Sequence, residues 1–299
     1  MIRRQWAIVA VCILHAAILS ARADDLVFAA YNLDDYFQAS DFPDGREKVS
    51  KSPQSIGAEI HVIQDIHPAI LGVSEMGPPR DFAGFQALLK SAGLDYPYTE
   101  YVQGPDPERH IAFLSKYPIV AHQSLPHVPY QMDGREEEIS RGILDVTVSI
   151  GGAKLRFIGA HLKSKLKDTF EDEEELRRNE AHLLRSHVDD VLNADPATKL
   201  IVYGDFNDTK NSPSIREVTG ARASGLGLRD LWLKDSDGDH WTEYWDQADV
   251  YTRIDYILVT RNLTRAVDSS KSFVYRSPYW NLASDHRPVV ATFRIQDIQ

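Results

Sequence analysis

Apolar positions along the chain fall into two kinds of run. Short runs rich in β-branched and aliphatic residues, at 26–31, 69–73, 111–114, 200–203, 254–260 and 288–295, predict strands. Longer runs have helical spacing. Ile56, Ile60 and Ile63 mark one helix, which should stop before Pro68. Phe82, Phe85, Leu88 and Leu89 mark a short second helix that closes near Gly93. Residues 171–192 form a long third helix with Leu176, Leu183, Leu184, Val188 and Val191 inward, and its acidic start suits the positive end of a helix dipole. Residues 143–150 and 153–160, joined by Gly151-Gly152, read as a β-hairpin with a tight turn. Many strands, a few helices and an antiparallel hairpin predict an α+β layered domain. No repeat, low-complexity tract or linker interrupts it, so one domain is expected over 24–299.

The first 23 residues stand apart. Arg3 and Arg4 precede an apolar stretch from Trp6 to Leu19, and Ala21-Arg22-Ala23 supplies an A-x-A cleavage signal. This is the pattern of a secretory signal peptide cleaved after Ala23, and the apolar stretch is shorter than the ~20 residues of a spanning helix. The expected location is secreted or periplasmic, with no stable membrane anchor. Cleavage removes Arg3, Arg4 and Arg22 from the 33 basic residues, leaving 30 against 44 acids, a net charge of −14. The single cysteine, Cys12, goes with the signal, so core packing alone must hold the mature protein. The acidity counts against a partner gripped through broad phosphate contacts, but not against a nucleic-acid enzyme whose metal ions supply local positive charge.

The polar residues of interest follow the apolar runs. Asn32 and Asp34 come after the first strand, Glu75 after the second, His161 after the hairpin, and Asp205 and Asn207 after 200–203. Asp255 opens a later strand, and Asp285-His286 precedes the last. Singly, each has an ordinary structural reading as a turn residue or a hydrogen-bonded core histidine. Six strand ends that each carry a carboxylate, carboxamide or imidazole point to a shared cleft. Phosphoester hydrolysis needs a charge clamp on the phosphoryl oxygens, a base for water and an acid or metal for the leaving oxygen. Oxygen donors without cysteine suit Mg²⁺ or Mn²⁺ rather than zinc.

The ordered set Y-N-L-D at 31–34, L-G-V-S-E-M at 71–76, I-A-F-L-S-K-Y-P-I at 111–119, G-A-H-L-K-S at 159–164, G-D-F-N-D at 204–208, R-I-D-Y-I-L at 253–258 and S-D-H-R-P-V at 284–289 resembles the endonuclease/exonuclease/phosphatase superfamily. That resemblance implies an α/β (α+β) four-layer sandwich of two mostly antiparallel sheets flanked by helices. It implies that Glu75 is the main metal ligand, assisted by Asn32 or Asp34 and by Asp285. Asp205 would activate or orient the attacking water, Asn207 would hold the phosphate, and His286 would act as a base or electrostatic stabiliser oriented by Asp255. His161 matches the deoxyribonuclease-like and sphingomyelinase-like branches. Two departures stand out: Pro68-Ala69 where the family often has an acid, and the acidic stretch 163–175.

Arg109, His110, Arg141 and Lys163 are candidate substrate contacts that read equally well as surface charges. Trp241, Tyr244 and Trp245 could stack on a base or a lipid edge, or simply pack. Asp235, Asp237 and Asp239 hint at an accessory Ca²⁺ loop, but His240 stands where the calcium-loop order needs glycine. The leading expectation is an exported, monomeric nuclease acting on nucleic-acid phosphodiesters by in-line water attack. A sphingomyelinase-like or small-molecule phosphoesterase is the second, disfavoured because no exposed apolar hairpin is legible. A catalytically silent binding protein is the third, and retention of the whole polar set argues against it.

Overall fold

The computed structural model describes residues 25–36, 50–165, 172–221 and 225–298. The segment read as an export signal lies outside them. So does the first residue expected of the long helix, which is described from its N-cap, Asp172.

Two six-stranded sheets face each other. The first contains β1 (Asp25–Tyr36), β2 (Ile70–Met76), β3 (Tyr98–Val102), β4 (His110–Ser115), β15 (Phe273–Val274) and β16 (Val289–Arg294), in the order β15-β16-β1-β2-β4-β3. The second contains β5 (Ile119–His122), β8 (Leu144–Ile150), β9 (Ala153–His161), β10 (Leu200–Asp205), β11 (Arg229–Asp230) and β14 (Asp255–Val259), in the order β11-β14-β10-β9-β8-β5. Helices α1 (Pro53–Ile66) and α2 (Pro79–Ser91) cover the outside of the first sheet, and α3 (Glu173–Ala194) covers the second.

Strand periodicity makes the layers. On β1, Leu26, Phe28 and Ala30 face the other sheet, while Ala29, Tyr31 and Leu33 pack outward with Val62, Ile63, Phe85 and Leu89. On β10, Ile201 and Tyr203 face inward, and Leu200 and Val202 pack outward with Leu184 and Val188. Each such buried aliphatic side chain contributes roughly 1.5–3 kcal/mol. The expected four-layer sandwich is therefore present.

Topology decides where the strand ends meet. Within each sheet one central pair is parallel, β1 with β2 and β9 with β10, so those four strands finish at one edge. β14 and β16 run antiparallel to β10 and β1 and begin at that edge. The short elements went unread in the sequence: β5, the hairpin of β6 (Pro129–Met132) and β7 (Arg135–Glu138), β11, β15, helix α4 (Pro213–Thr219), and the hairpin of β12 (Glu243–Trp245) and β13 (Val250–Thr252). Several are half-exposed or charged, and they carry no apolar period.

Candidate active site

Each polar side chain at this edge is placed by its strand. Asn32 and Glu75 lie where both β1 and β2 break register, between Asn32 and Tyr36 and between Val73 and Met76. Bulges re-aim side chains, and here they come with strained backbone: Asp34, Asp35 and Glu75 have φ of 49°, 53° and 58°. Such non-glycine conformations cost of order 1–3 kcal/mol each and gather at functional sites. Lys51, its side chain only 6% exposed, braces the bulge by donating to the carbonyls of Leu33 (2.7 Å) and Asp34 (2.8 Å), with its charge met by buried Glu59 at 3.1 Å. In the second sheet Asp205 is registered between His161 and Asp255. Gly204 precedes it at φ 136°, where an added Cβ would lie 1.9 Å from the Ala160 carbonyl oxygen.

The centre is compact. The Asn32 amide donates to Glu75 Oε1 (3.2 Å) and to Asp205 Oδ2 (3.0 Å), and lies 3.4 Å from His286 Nε2. His161 Nε2 stands 3.7 Å from Glu75 Oε1 and 3.6 Å from Asp205 Oδ2. Asp205 Oδ1 accepts from the Asn207 backbone N–H at 2.8 Å, and the Asn207 amide donates to the Leu162 carbonyl at 3.0 Å. His286 Nδ1 lies 2.8 Å from Asp255 Oδ2, and its Nε2 lies 3.8 Å from both Asp205 Oδ2 and Asp285 Oδ1.

The electrostatics separate these groups. Burial opposes ionisation of Glu75, but His161, Arg109 and His286 act against it and hold the carboxyl below the usual carboxylate range. Burial, reinforced by the Arg141 guanidinium, pushes His161 down to about 3. At neutral pH that imidazole is uncharged, so Arg109, 3.6 Å from Glu75, is the cation that sustains the carboxylate from the first-sheet side. Burial, then the Asp255 charge, raises Asp205 well above its ordinary value. Burial, then Asp34, Glu75 and Glu243, pushes Asp285 up to about 7, although His286 opposes this. For His286 burial works the other way, but Asp255 and Asp285 outweigh it and raise the imidazole well above 6.5.

A groove of about 750 Å³ opens over this centre. Glu75, Asp205, Asn207, Asp285 and His286 line it. Asp34 stays at the rim, its side chain 50% exposed and 3.5 Å from Lys51 Nζ. The candidate substrate contacts divide. Arg109 reaches the centre through Glu75 and Asp35. His110 is buried behind it, against the Tyr101 ring. Arg141 is buried against Asp106 at 3.0 Å. Lys163 turns to Glu173 at 3.5 Å, and Lys165 lines the groove instead. Desolvation explains this sorting, because a buried cation needs its carboxylate. The sequence reading missed Lys165 and Trp280. It also missed the β12–β13 hairpin as an element, although Tyr244 and Trp245 were noted in it.

The donor set fits a hard divalent cation. Asp285 Oδ1 and both ring nitrogens of His161 are buried without a hydrogen-bond partner. Burial and repulsion from neighbouring carboxylates (Asp255 for Asp205, Asp34 and Glu75 for Asp285) raise these two acids, a penalty that a divalent cation would relieve. Asp205, Asp255 and His286 also present ligand atoms within 4.8 Å of one another, the only such trio among the described residues. In that trio Asp255 is engaged by His286 Nδ1, so Glu75 and Asp285, which line the groove, form the more open carboxylate side, while buried Asn32 turns its amide nitrogen to Glu75 and its Oδ1 accepts from the Asp34 N–H at 3.0 Å. The three acids of the suspected Ca²⁺ loop do not form such a group among the described residues. Asp235 accepts there from the Asp237 and Asp239 N–H groups and from Arg287 at 2.8 Å.

The fold is shared with solved structures of low identity. The catalytic domain of human Nocturnin superposes with a TM-score of 0.63 at 18% identity, over 90% of this chain and 94% of that one. A truncated TDP2 from Caenorhabditis elegans gives 0.60 at 18%, over 90% and 97%. Sphingomyelinase C from Streptomyces griseocarneus gives 0.59 at 15%, over 90% and 99%. No curated protein matches the chain by sequence. The model of the endonuclease/exonuclease/phosphatase family matches residues 27–278, a span that contains every strand-end residue of the site except Asp285 and His286. The chain belongs to that family, and it is a metal-dependent phosphoester hydrolase.

Proposed function

We propose that the protein is an exported, monomeric, Mg²⁺-dependent phosphodiesterase that hydrolyses nucleic-acid phosphodiester bonds by in-line attack of water. The observation that carries this reading is the meeting in one groove of three groups. These are a carboxylate side with the Asn32 amide against it (Glu75, Asp285, Asn32), an acid–amide pair (Asp205, Asn207) and an imidazole held by a carboxylate (His286, Asp255). A bound Mg²⁺ or Mn²⁺ supplies positive charge to the phosphoryl oxygens. Glu75 would hold that ion, with Asn32 and Asp285 beside it and Asp34 at the rim. Asp205 orients the attacking water and takes its proton. Asn207 and the uncharged His161, whose ring nitrogens have no protein hydrogen bond, hold the phosphate. His286, kept protonated by Asp255, stabilises charge on the phosphoryl group.

The test is a panel of plasmid DNA, RNA, sphingomyelin and bis-p-nitrophenyl phosphate, with and without chelator. Chelator-sensitive cleavage of nucleic acid is expected, and His286→Ala should lower its rate about 10²-fold or more. Cleavage that survives chelation refutes the metal role.

A second reading is supported by one feature absent from the sequence reading. The β12–β13 hairpin beside the groove exposes Trp245, Val250 and Tyr251. An apolar hairpin suits a lipid phosphodiesterase, and the fold is also that of a sphingomyelinase C. The hairpin turn, however, carries Asp246 and Asp249, whose charges resist transfer from water into the apolar part of a lipid layer. Turnover of sphingomyelin without turnover of nucleic acid would select this reading.

A further inference from the structure

The hairpin is joined to the catalytic segment. Glu243 bridges His286, the Tyr244 N–H donates to the Asp285 carbonyl at 2.9 Å, and the Arg287 N–H donates to the Thr242 carbonyl at 2.6 Å. Thr242 Oγ1 in turn accepts from the backbone of Ile254 and Asp255. The hairpin is therefore fixed relative to His286 and Asp285 by hydrogen bonds on both sides.

Its register gives it two faces. Tyr244 pairs with Tyr251, and these rings stack at 4.5 Å and pack with Trp241 and Trp280. Glu243 pairs with Thr252, and Trp245 with Val250, and all four of these residues line the groove, which Tyr244 and Trp280 also reach from the packed aromatic cluster. Outward from His286 the groove wall thus reads polar pair, then apolar pair, one two-residue step of roughly 7 Å apart.

The tryptophans differ in what covers them. Arg287 lies over Trp241, and Lys210 and Arg253 lie over Trp232. Among the described residues neither a ring nor a cation packs on Trp245, which is 42% exposed. Asn281, exposed on α5 (Trp280–Ala283), lines the same groove.

Resting on the nuclease reading, we propose that Trp245, backed by Val250, is a stacking face for an unpaired base next to the scissile phosphate, so that the enzyme selects single-stranded over duplex nucleic acid. In a duplex both faces of a base are covered by its neighbours, whereas an unpaired base can stack on an aromatic side chain. The rim charge agrees. Asp34, Glu243, Asp246 and Asp285 line the groove against Lys165, so among the described residues its lining is acidic rather than a basic track that would grip a second strand.

The experiment compares wild type, Trp245→Ala and Trp245→Phe on three Mg²⁺-supplemented substrates. They are a single-stranded oligonucleotide, the same strand in a duplex, and the same strand with one abasic residue beside the cleaved bond. Wild type should prefer the single strand and lose efficiency at the abasic position. Trp245→Ala should raise KM on the single strand about 10- to 100-fold, the range of one lost base–aromatic stack. The same variant should leave the abasic substrate nearly unchanged, and Trp245→Phe should restore most of the loss. A Trp245→Ala enzyme that still discriminates against the abasic strand overturns this inference and leaves the nuclease reading intact. A wild type that cleaves sphingomyelin vesicles and no oligonucleotide overturns both.

Discussion

His286 presents Nδ1 to Asp255 at 2.8 Å and Nε2 toward Asp205 at 3.8 Å, so one carboxylate fixes both its ring orientation and its charge. Burial alone would lower this imidazole; Asp255, followed by Asp285, raises it instead. Asp255→Asn keeps the shape but removes the charge, and its amide can offer a donor where Nδ1–H needs an acceptor. The expected result is a fall in kcat of about 10²-fold or more at neutral pH, with the circular dichroism spectrum retained. The sign for pH follows. A raised pKa means that the protonated form persists until pH climbs through the folded value, so the alkaline limb of the pH–rate profile should move to lower pH in Asp255→Asn. Undiminished kcat would remove Asp255 from the site. This pair could be anticipated from the short motifs around both residues. The role of Arg109 beside Glu75 could not, because it depends on Asp35 being turned inward by a backbone bulge, and nothing in a linear pattern marks a bulge.

At the scale of elements, the two sheets approach each other through glycine. A Cβ on Gly72 of β2 would lie 2.2 Å from the Tyr203 ring, and one on Gly159 of β9 would lie 2.7 Å from it. Tyr203 fills that gap next to the strand ends that carry Glu75, His161 and Asp205. Gly72→Ala should therefore destabilise by about 1–3 kcal/mol, the usual cost of overpacking, as read from a urea midpoint. Combined with Tyr203→Leu, the loss should be smaller than the sum of the two single changes, because the residues share one space. Strict additivity would show that the contact is not limiting. The long elements were legible because burial imposes a period. The alternating sides of 26–31 and 200–203, and the inward Leu184 and Val188 of α3, follow directly from it. The β12–β13 hairpin was not legible, since Glu243–Trp245 and Val250–Thr252 owe their pairing to the Asp285–Arg287 segment, which is remote in sequence. Trp245 was noticed as an aromatic residue, but its cross-strand partner and its place in the groove wall are tertiary facts.

Across the whole molecule, stability depends on groups that folding forces into one protonation state. His110 is buried against Tyr101, and burial lowers its pKa from 6.5 to about 4, with Asp106 opposing. Below pH 6.5 the unfolded chain takes up a proton there that the folded chain refuses until about pH 4. Folding stability from this residue is therefore complete above pH 6.5 and lost as pH falls toward 4. His110→Phe should flatten that part of the pH–stability curve, by up to about 3 kcal/mol between the ends of the window, in denaturant titrations. The larger imbalance is at the groove. Glu75, Asp205, Asp255 and Asp285 meet there, with Arg109 and His286 among the nearby cations, and the raised values of Asp205 and Asp285 record what burial and repulsion cost. A ligand that binds only the folded state stabilises it by about 2.7 kcal/mol at 100 times its Kd. For a chain of this size that is a rise on the order of 5 °C in Tm. Mg²⁺ at constant ionic strength should produce such a rise in the wild-type protein, with chelator reversing it. Glu75→Gln, which keeps the size of the side chain and removes its charge, should abolish most of the Mg²⁺ effect. Its metal-free Tm should fall modestly, since the Glu75 carboxyl is held below its usual range and its charge is net stabilising in the folded state. An equal Mg²⁺ shift in both proteins would place the cation elsewhere, with the Asp205, Asp255 and His286 trio as the next position to test by the same measurement.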